Sequence, residues 1–297
     1  MRQTSGKKGR PSTGDGCQPG TLFVVATPIG NLEDITLRAL RILREVDLIA
    51  AEDTRHTRKL LSHFDIHTPL ISYYKEKEAS RAQEIVARLL SGHQVALVSD
   101  AGTPGISDPG GILVQSAYEH GIGVVPVPGV SALATILSVA GLTETSHLFL
   151  GFLPAKAVER RKLLLGLKNE AHALVFYESP RRITASLADC LAELGDRRAV
   201  IGRELTKMHE EIASGELAQL LAGLKAREGI KGEFVVLIAG LRASAPLRPD
   251  NLEDLLRWYR EQPGLSLKDA VASIARDLDL SRSEVYQKAL AVWKESA

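Results

Sequence analysis

Short apolar runs, each opening into a loop of Gly, Pro, Asp and Ser and then into a helix-patterned segment, constrain this chain more than any other feature. Leu22-Phe23-Val24-Val25-Ala26 ends at Thr27-Pro28-Ile29-Gly30-Asn31, and a helix pattern follows near Thr36 to Glu45 with Leu37, Leu40, Ile42 and Leu43. Leu48-Ile49-Ala50-Ala51 is a second run, followed by helical segments over about Thr54–Phe64 and Ser80–Ser91. Val95-Ala96-Leu97-Val98 and Val124-Val125-Pro126-Val127 come next, and Ser131 to Val139 reads as a small-residue helix. Strands that alternate with helices predict a parallel sheet in an α/β fold.

The second half repeats the class of pattern but not the sequence. Strands are predicted at Leu148–Phe152, Ala173–Tyr177, Ala199–Gly202 and Phe234–Ala239, with helices at Arg160–Leu167, Ile183–Leu194 and Leu217–Ala226. After Gly240 the composition changes. Ala245-Pro246-Leu247-Arg248-Pro249 reads as a linker, and Leu252–Arg260, Leu267–Leu278 and Ser283–Lys294 read as three short helices. Ser266 and Ser281 stand where helix caps belong, and the last two helices have helix-turn-helix-like spacing. Residues 246–297 carry 8 basic and 9 acidic residues, 8 − 9 = −1, so packing or partner docking is as good a reading of them as RNA contact. The expected organisation is a disordered tail over 1–19, α/β domains over 20–141 and 146–241, and a helical domain over 250–297.

Composition narrows the function. The 297 residues are 44% hydrophobic and 25% charged, an ordinary globular balance with room for about two domains and an appendage. A net charge of +1 means that any nucleic-acid binding rests on a local patch. Arg2, Lys7, Lys8 and Arg10 against Asp15 give the tail a net of +3 (4 − 1), and it lacks the apolar segment of a signal peptide. Two cysteines, Cys17 and Cys190, make neither a disulfide framework nor a four-Cys zinc site, which fits a cytoplasmic setting. No apolar run approaches the ~20 residues that span a bilayer.

Motif absences exclude more. There is no G-x-x-x-x-G-K-[ST] and no G-x-G-x-x-G after the first strand, which disfavours P-loop and nicotinamide enzymes. Gly105-Ile106-Ser107-Asp108-Pro109 puts Pro where a nucleophile elbow needs Gly. No H-E-x-x-H or Cys/His cluster points to a metal. What remains is a set of shaped strand-to-helix loops at 27–34, 52–58, 100–110, 126–132 and 177–182. The richest is Ser99-Asp100-Ala101-Gly102-Thr103-Pro104-Gly105-Ile106-Ser107-Asp108-Pro109-Gly110. Loops at the carboxyl ends of strands are where open α/β sheets bind ligands. Two acids, hydroxyls and free backbone groups suit a polar cofactor with an amine and a ribose. Ser131 can cap its helix or contact a ligand, and the two readings stand level.

Several segments together resemble the tetrapyrrole-methylase superfamily of S-adenosylmethionine-dependent methyltransferases. They are Thr27-Pro28-Ile29-Gly30-Asn31-Leu32-Glu33-Asp34, Ala51-Glu52-Asp53-Thr54-Arg55, Ser99-Asp100-Ala101-Gly102-Thr103-Pro104, Pro128-Gly129-Val130-Ser131-Ala132, Glu178-Ser179-Pro180-Arg181-Arg182, Arg203-Glu204-Leu205-Thr206-Lys207 and Gly232-Glu233-Phe234. Within the superfamily the likeness is to the bacterial branch that modifies a cytidine 2′-hydroxyl of small-subunit ribosomal RNA. It runs from about residue 20 to 240, and Thr27–Asn31 replaces the superfamily's Gly-rich first loop as in that branch. The resemblance implies two α/β domains with a cofactor cleft between them, a small C-terminal helical domain, and a homodimer. It implies S-adenosylmethionine at Pro28, Asp100, Ala101, Gly102, Ile106, Ser131, Ala132, Tyr177 and Glu233. Ribosomal RNA in the assembled small subunit would be the partner, with no membrane and no metal. Where the branch carries a His-rich stretch this chain reads Ser72-Tyr73-Tyr74-Lys75-Glu76-Lys77-Glu78, so no role carries over to it.

Transfer to a ribose hydroxyl needs alignment and a base. The candidates for the base are Glu52, Asp53, Lys207 and Glu178, with Lys207 requiring a depressed pKa. Arg55, Arg181, Arg182 and Arg203 are candidate phosphate clamps, each against the alternative of a local salt bridge. Two other readings compete: a methyltransferase on a small molecule such as a tetrapyrrole, and a non-catalytic ribosome-assembly factor that holds the cofactor.

Overall fold

A computed structural model describes residues 18–141, 146–241, 252–261, 264–278 and 280–294. Expectations for the tail up to residue 17, the middle of the interdomain join and the 245–249 linker lie outside the described residues. The chain divides into two units, one ending at Leu241 and one beginning at Arg242.

In the first unit, β1 (Thr21–Val25), α1 (Leu37–Glu45), β2 (Leu48–Ala51), α2 (Thr54–His63), β3 (Leu70–Ser72), α3 (Glu78–Leu90), β4 (Val95–Val98), α4 (Gly111–Glu119), β5 (Gly123–Val127) and α5 (Ala132–Val139) follow in order. The strands form one sheet, β3-β2-β4-β1-β5, with every pairing parallel. Both faces are covered. Leu43 of α1 and Leu61 of α2 meet Val25, Ile49 and Val98 on one face, and Ile85 and Leu89 of α3 with Leu113 of α4 meet Leu22, Ala50 and Leu97 on the other. Double coverage is why β2 and β4 read as unbroken apolar runs.

The second sheet comes from β6 (His147–Phe152), α6 (Ala157–Gly166), β7 (Ala173–Glu178), α7 (Ile183–Leu194), β8 (Arg198–Arg203), β9 (Glu211–Glu216), α8 (Leu217–Lys225) and β10 (Phe234–Ile238), in the order β6-β7-β10-β8-β9. It departs from the parallel expectation. Only β6 and β7 run parallel, while β10 is antiparallel to β7 and β8, and β8 to β9. The cause is β9, which joins β8 through a short loop with no helix between them. Its Glu-Ile-Ala-Ser-Gly-Glu alternates along an edge and has no apolar run to announce it. β3, three residues long, is the other strand absent from the sequence reading.

α6, α7 and α8 cover one face of this sheet, with Leu164, Leu187 and Leu221 against Phe176, Ile201 and Val236. The other face is covered by α5: its Ile136 packs on Val175, Val200, Val235 and Leu237. A helix that follows the first sheet in the chain thus completes the core of the second.

The second unit holds α9 (Leu252–Glu261), α10 (Leu267–Asp277) and α11 (Arg282–Lys294). They close on Leu256, Ile274, Val285 and Ala289. Ser266 caps α10 with a reciprocal Asp269 bond, and Ser281 does the same with Glu284. No helix among the described residues is long and apolar enough to cross a membrane.

Candidate active-site cleft

The carboxyl ends of β1, β2 and β4 gather the loops of the first sheet. Thr27 and Gly102 exchange two backbone hydrogen bonds, 2.8 and 3.0 Å, and the Thr27 hydroxyl donates to the Ser99 carbonyl at 3.1 Å. Gly102 sits at φ 81°, a conformation that a side chain would strain. This bridge fixes where the 99–110 loop leaves the sheet.

The far end of that loop is fixed from behind. Tyr73, fully buried just past β3, donates its hydroxyl hydrogen to Glu78 at 3.0 Å and accepts the Leu113 amide at 3.2 Å. The same Glu78 oxygen accepts the Gly110 amide at 2.9 Å. Burial and the neighbouring carboxylate hold the tyrosine protonated. The segment to which no role carried over is therefore a latch on the loop. Tyr73→Phe leaves a buried amide and a carboxylate short of a partner, a loss of about 1–3 kcal/mol. The expected result is a lower urea midpoint with faster amide exchange at Gly110–Leu113, and unchanged exchange there refutes the latch.

A cavity of about 480 Å³ opens beside the loop, lined from both sheets. Its first-sheet wall presents Glu52, Asp100 and Asp108 beside Ile29 and Ile106. Glu52 is half-buried. It accepts the Asp100 amide at 3.4 Å, and Asp100 accepts the Asp53 amide at 2.9 Å. Burial, then the charge of Asp108, pushes the Glu52 carboxyl above its ordinary value, and burial raises Asp108 likewise. No ion pair neutralises any of the three among the described residues.

The second-sheet wall is aromatic and then charged. Tyr177 lies edge-on between Phe149 and Phe152, with centroids at 5.0 and 5.7 Å. Its hydroxyl accepts the Leu133 amide at 3.2 Å, so it supplies the cap that Ser131 does not. Beyond it, Lys207 bonds Glu204 and Glu233, both at 2.8 Å. Burial draws the lysine pKa down, but the two carboxylates outweigh it and the net shift is upward. Thr206, at φ 66°, accepts the Asn31 amide at 3.1 Å, a link between the two sheets' loops. A Cβ on Gly30 would stand 2.3 Å from the Lys207 Cγ, so the glycine lets the lysine stem pass.

The sequence-predicted residues divide. Asp100, Ala101, Gly102, Ile106, Ser131, Ala132, Tyr177 and Glu233 all line the cavity, as do Glu52, Glu178 and Lys207. Pro28 does not: it is buried next to the bridged Thr27, and its neighbour Ile29 reaches the wall instead. Asp53 also falls outside the lining, where it caps α2 and takes a two-pronged bond from Arg55 that holds its carboxyl far below the usual range. Glu178, 1% exposed, is occupied by Ser186 at 2.6 Å, Arg182 at 3.1 Å and the Ser179 amide at 2.8 Å. Lys207 has the opposite of the depressed pKa that a base needs.

Among the predicted clamps, Arg182 is drawn inward to Glu178 and the Leu153 carbonyl, and Arg203 to the Lys231 carbonyl at 2.7 Å and to Glu211. Both are salt-bridged, as their alternative reading had it. Arg55 is exposed but paired with Asp53 at 2.8 Å, so its alternative reading is met too, and Arg181 is exposed. Asp108 was absent from the predicted set, although its place in the same loop as Asp100 was a usable signal.

The family profile of the tetrapyrrole (corrin/porphyrin) methylases matches residues 21–221, from the first residue of β1 into α8. The chain belongs to this family. As a tetrapyrrole methylase it is 48% identical over 273 residues to Ribosomal RNA small subunit methyltransferase I of Pseudomonas aeruginosa, covering 91% of this chain and 97% of that one. The protein of the same name from Escherichia coli O157:H7 is 46% identical over 274 residues, covering 91% and 95%. Among solved structures, diphthine synthase superposes with a TM-score of 0.56 at 17% identity, covering 74% of this chain and 90% of that one. Uroporphyrin III C-methyl transferase from Thermus thermophilus gives 0.53 at 19%, covering 75% and 98%. At such identities these two show the fold alone. The expected architecture of two α/β sheets with a helical C-terminal part is borne out for this tetrapyrrole methylase.

Proposed function

We propose that this tetrapyrrole methylase transfers a methyl group from S-adenosylmethionine to the ribose 2′-hydroxyl of a cytidine in small-subunit ribosomal RNA. The observation that carries the reading is the trio Glu52, Asp100 and Asp108, three carboxylates that make no ion pair among the described residues and line a largely apolar cavity. Relatives that align with nine-tenths of the chain are named Ribosomal RNA small subunit methyltransferase I, which supports small-subunit ribosomal RNA as the substrate.

The donor set suits that cofactor. Uncompensated carboxylates attract a cationic ligand, Ile29, Ile106 and Phe152 offer apolar contact to a ring, and the cavity volume is of the usual size for a small-molecule site. Bound there, S-adenosylmethionine supplies a methyl already activated by a positive sulfur. Asp100, Ala101, Gly102, Ile106, Ser131, Ala132, Tyr177 and Glu233 hold it. Glu52 takes the proton from the ribose hydroxyl, since Asp53, Glu178 and Lys207 are each committed to strong partners. The Tyr177–Phe152 wall excludes water, and Lys207, braced by Glu204 and Glu233, holds the second-sheet side of the cleft. Alignment of this kind is worth about 7–11 kcal/mol in favourable cases.

In this reading the chain is organised as α/β domains at 20–141 and 146–241, with a helical domain at 250–297. The protein acts in the cytoplasm, as a homodimer, on the assembled small subunit. The test is transfer of labelled methyl to small subunits from a strain lacking this gene. The expected label lies in RNA at a linkage that resists alkali, as a 2′-O-methyl requires. Label on a small molecule, on protein, or on nothing overturns the proposal.

A further inference from the structure

The charges around the cleft are sorted by sign. The cavity is acidic, while the helix that leaves its rim is basic. α2 begins directly after Glu52 and Asp53, whose amide binds Asp100, and its ten residues include Arg55, Arg58, Lys59, His56 and His63 with no acid among them. α1 and α6 also carry three cations each, but each includes a glutamate, whereas α2 has none.

Many cations of the first unit are spent on neighbours: Arg41 on Glu45, Arg55 on Asp53, Arg81 and Arg88 on Glu84, Arg160 and Arg161 on Asp189, Arg203 and Arg227 on Glu211. Arg58 and Lys59 are set apart by position, on the helix that leaves the cleft rim. Both are exposed, and neither has a hydrogen bond or an ion pair among the described residues. α2 shows no exposed large apolar side chain, so its outer face lacks what a helix needs to insert into lipid.

We infer that the exposed face of α2 is a docking surface for the RNA backbone, with Arg58 and Lys59 as phosphate contacts and Arg55 between them and the cleft. The inference rests on the reading of the cleft as an RNA methyltransferase site. Charge complementarity selects the occupant, since exposed cations with no acid on their helix suit the repeating negative charge of a phosphate backbone. Position selects the region of RNA: the phosphates flanking the nucleotide whose ribose enters the cleft. Arg181 is exposed beside the cavity-lining Pro180, on the second-sheet side of the cleft. The acids stay inside, where they hold a cation and repel stray phosphate.

The experiment uses the full chain and compares Arg58→Glu/Lys59→Glu with Lys162→Glu/Lys168→Glu, an equal charge change at exposed lysines of the second sheet's helices and loops that also lack partners among the described residues. Methyl transfer to small subunits is measured against salt concentration. For the α2 pair the expected KM for subunits rises at least tenfold, kcat stays within twofold, and calorimetric affinity for S-adenosylmethionine is unchanged. The slope of log KM against log salt becomes shallower by about one and a half to two. The control pair matches the parent. A KM within twofold of the parent's, or an equal loss in the control pair, overturns docking on α2 and leaves the methyl-transfer reading intact. A parent protein that labels no subunit RNA overturns that reading, and this surface with it.

Discussion

Glu52→Gln is expected to lower kcat by about 10²–10⁴, the range a positioned base contributes, with S-adenosylmethionine affinity changed only a few-fold. Four residues compete for the base on sequence grounds, and the geometry separates them. Asp53 is clamped by Arg55, Glu178 is buried under three donors, and Lys207 is held protonated by two carboxylates. Glu52 lines the cavity with only a long bond from the Asp100 amide. Burial and Asp108 raise its pKa, so the folded state prefers the protonated form. Its stabilising contribution is therefore full below the ordinary carboxylate value and is lost as pH rises through the raised one. Once Glu52 is ionised the parent bears a half-buried charge that the glutamine does not, and there the variant melts no lower. The parent's rate should climb with pH as Glu52 ionises, and that limb should vanish in the variant. A rate loss matched by a fall in melting temperature, or a surviving limb, would sink the assignment.

Asp189→Ala is expected to remove about 3–5 kcal/mol of stability, the usual cost of stranding a buried charge. Arg160 and Asp189 meet at 2.6 Å with side chains 5% and 6% exposed, and Arg161 takes the other carboxylate oxygen at 2.6 Å. Without the carboxylate, Arg160 keeps only the Pro154 and Ala155 carbonyls. α6 and α7 then lose the tie that backs the second-sheet wall. Burial pushes the Asp189 pKa up, but the two guanidiniums outweigh it and the net shift is downward. Its contribution is present above the ordinary carboxylate value and fades as pH falls through the shifted one. Urea midpoints of parent and variant should differ fully at pH 7 and converge in acid. A gap that is equally wide at both pH values would contradict the pairing.

Much of this was legible in the residues because double-sided burial writes itself as apolar runs. β1, β2, β4, β7 and β10 all announce themselves, and the glycines and prolines after them mark the ligand loops. What stayed hidden depended on partners distant in sequence. β9 is an edge strand with half its side chains in water. Ser131 stands at a cap position, yet the cap is Tyr177, 44 residues from the amide it accepts. Glu178 and Lys207 look free in a motif and are occupied in space. Tyr73 follows the apolar pair Leu70-Ile71 and could have been read as inward-facing, but nothing local tells that its hydroxyl holds another helix.

The route of α5 has a mechanical outcome. Val130 is tied to the first sheet's loop through the Thr103 hydroxyl at 3.2 Å, whereas Leu133 is tied to Tyr177 and Ile136 is sunk in the second sheet. Any rotation of one sheet against the other must therefore be absorbed at Ser131 and Ala132, both of which face the cavity. The fulcrum and the ligand wall are the same two residues, so whatever rests against them also stiffens the joint.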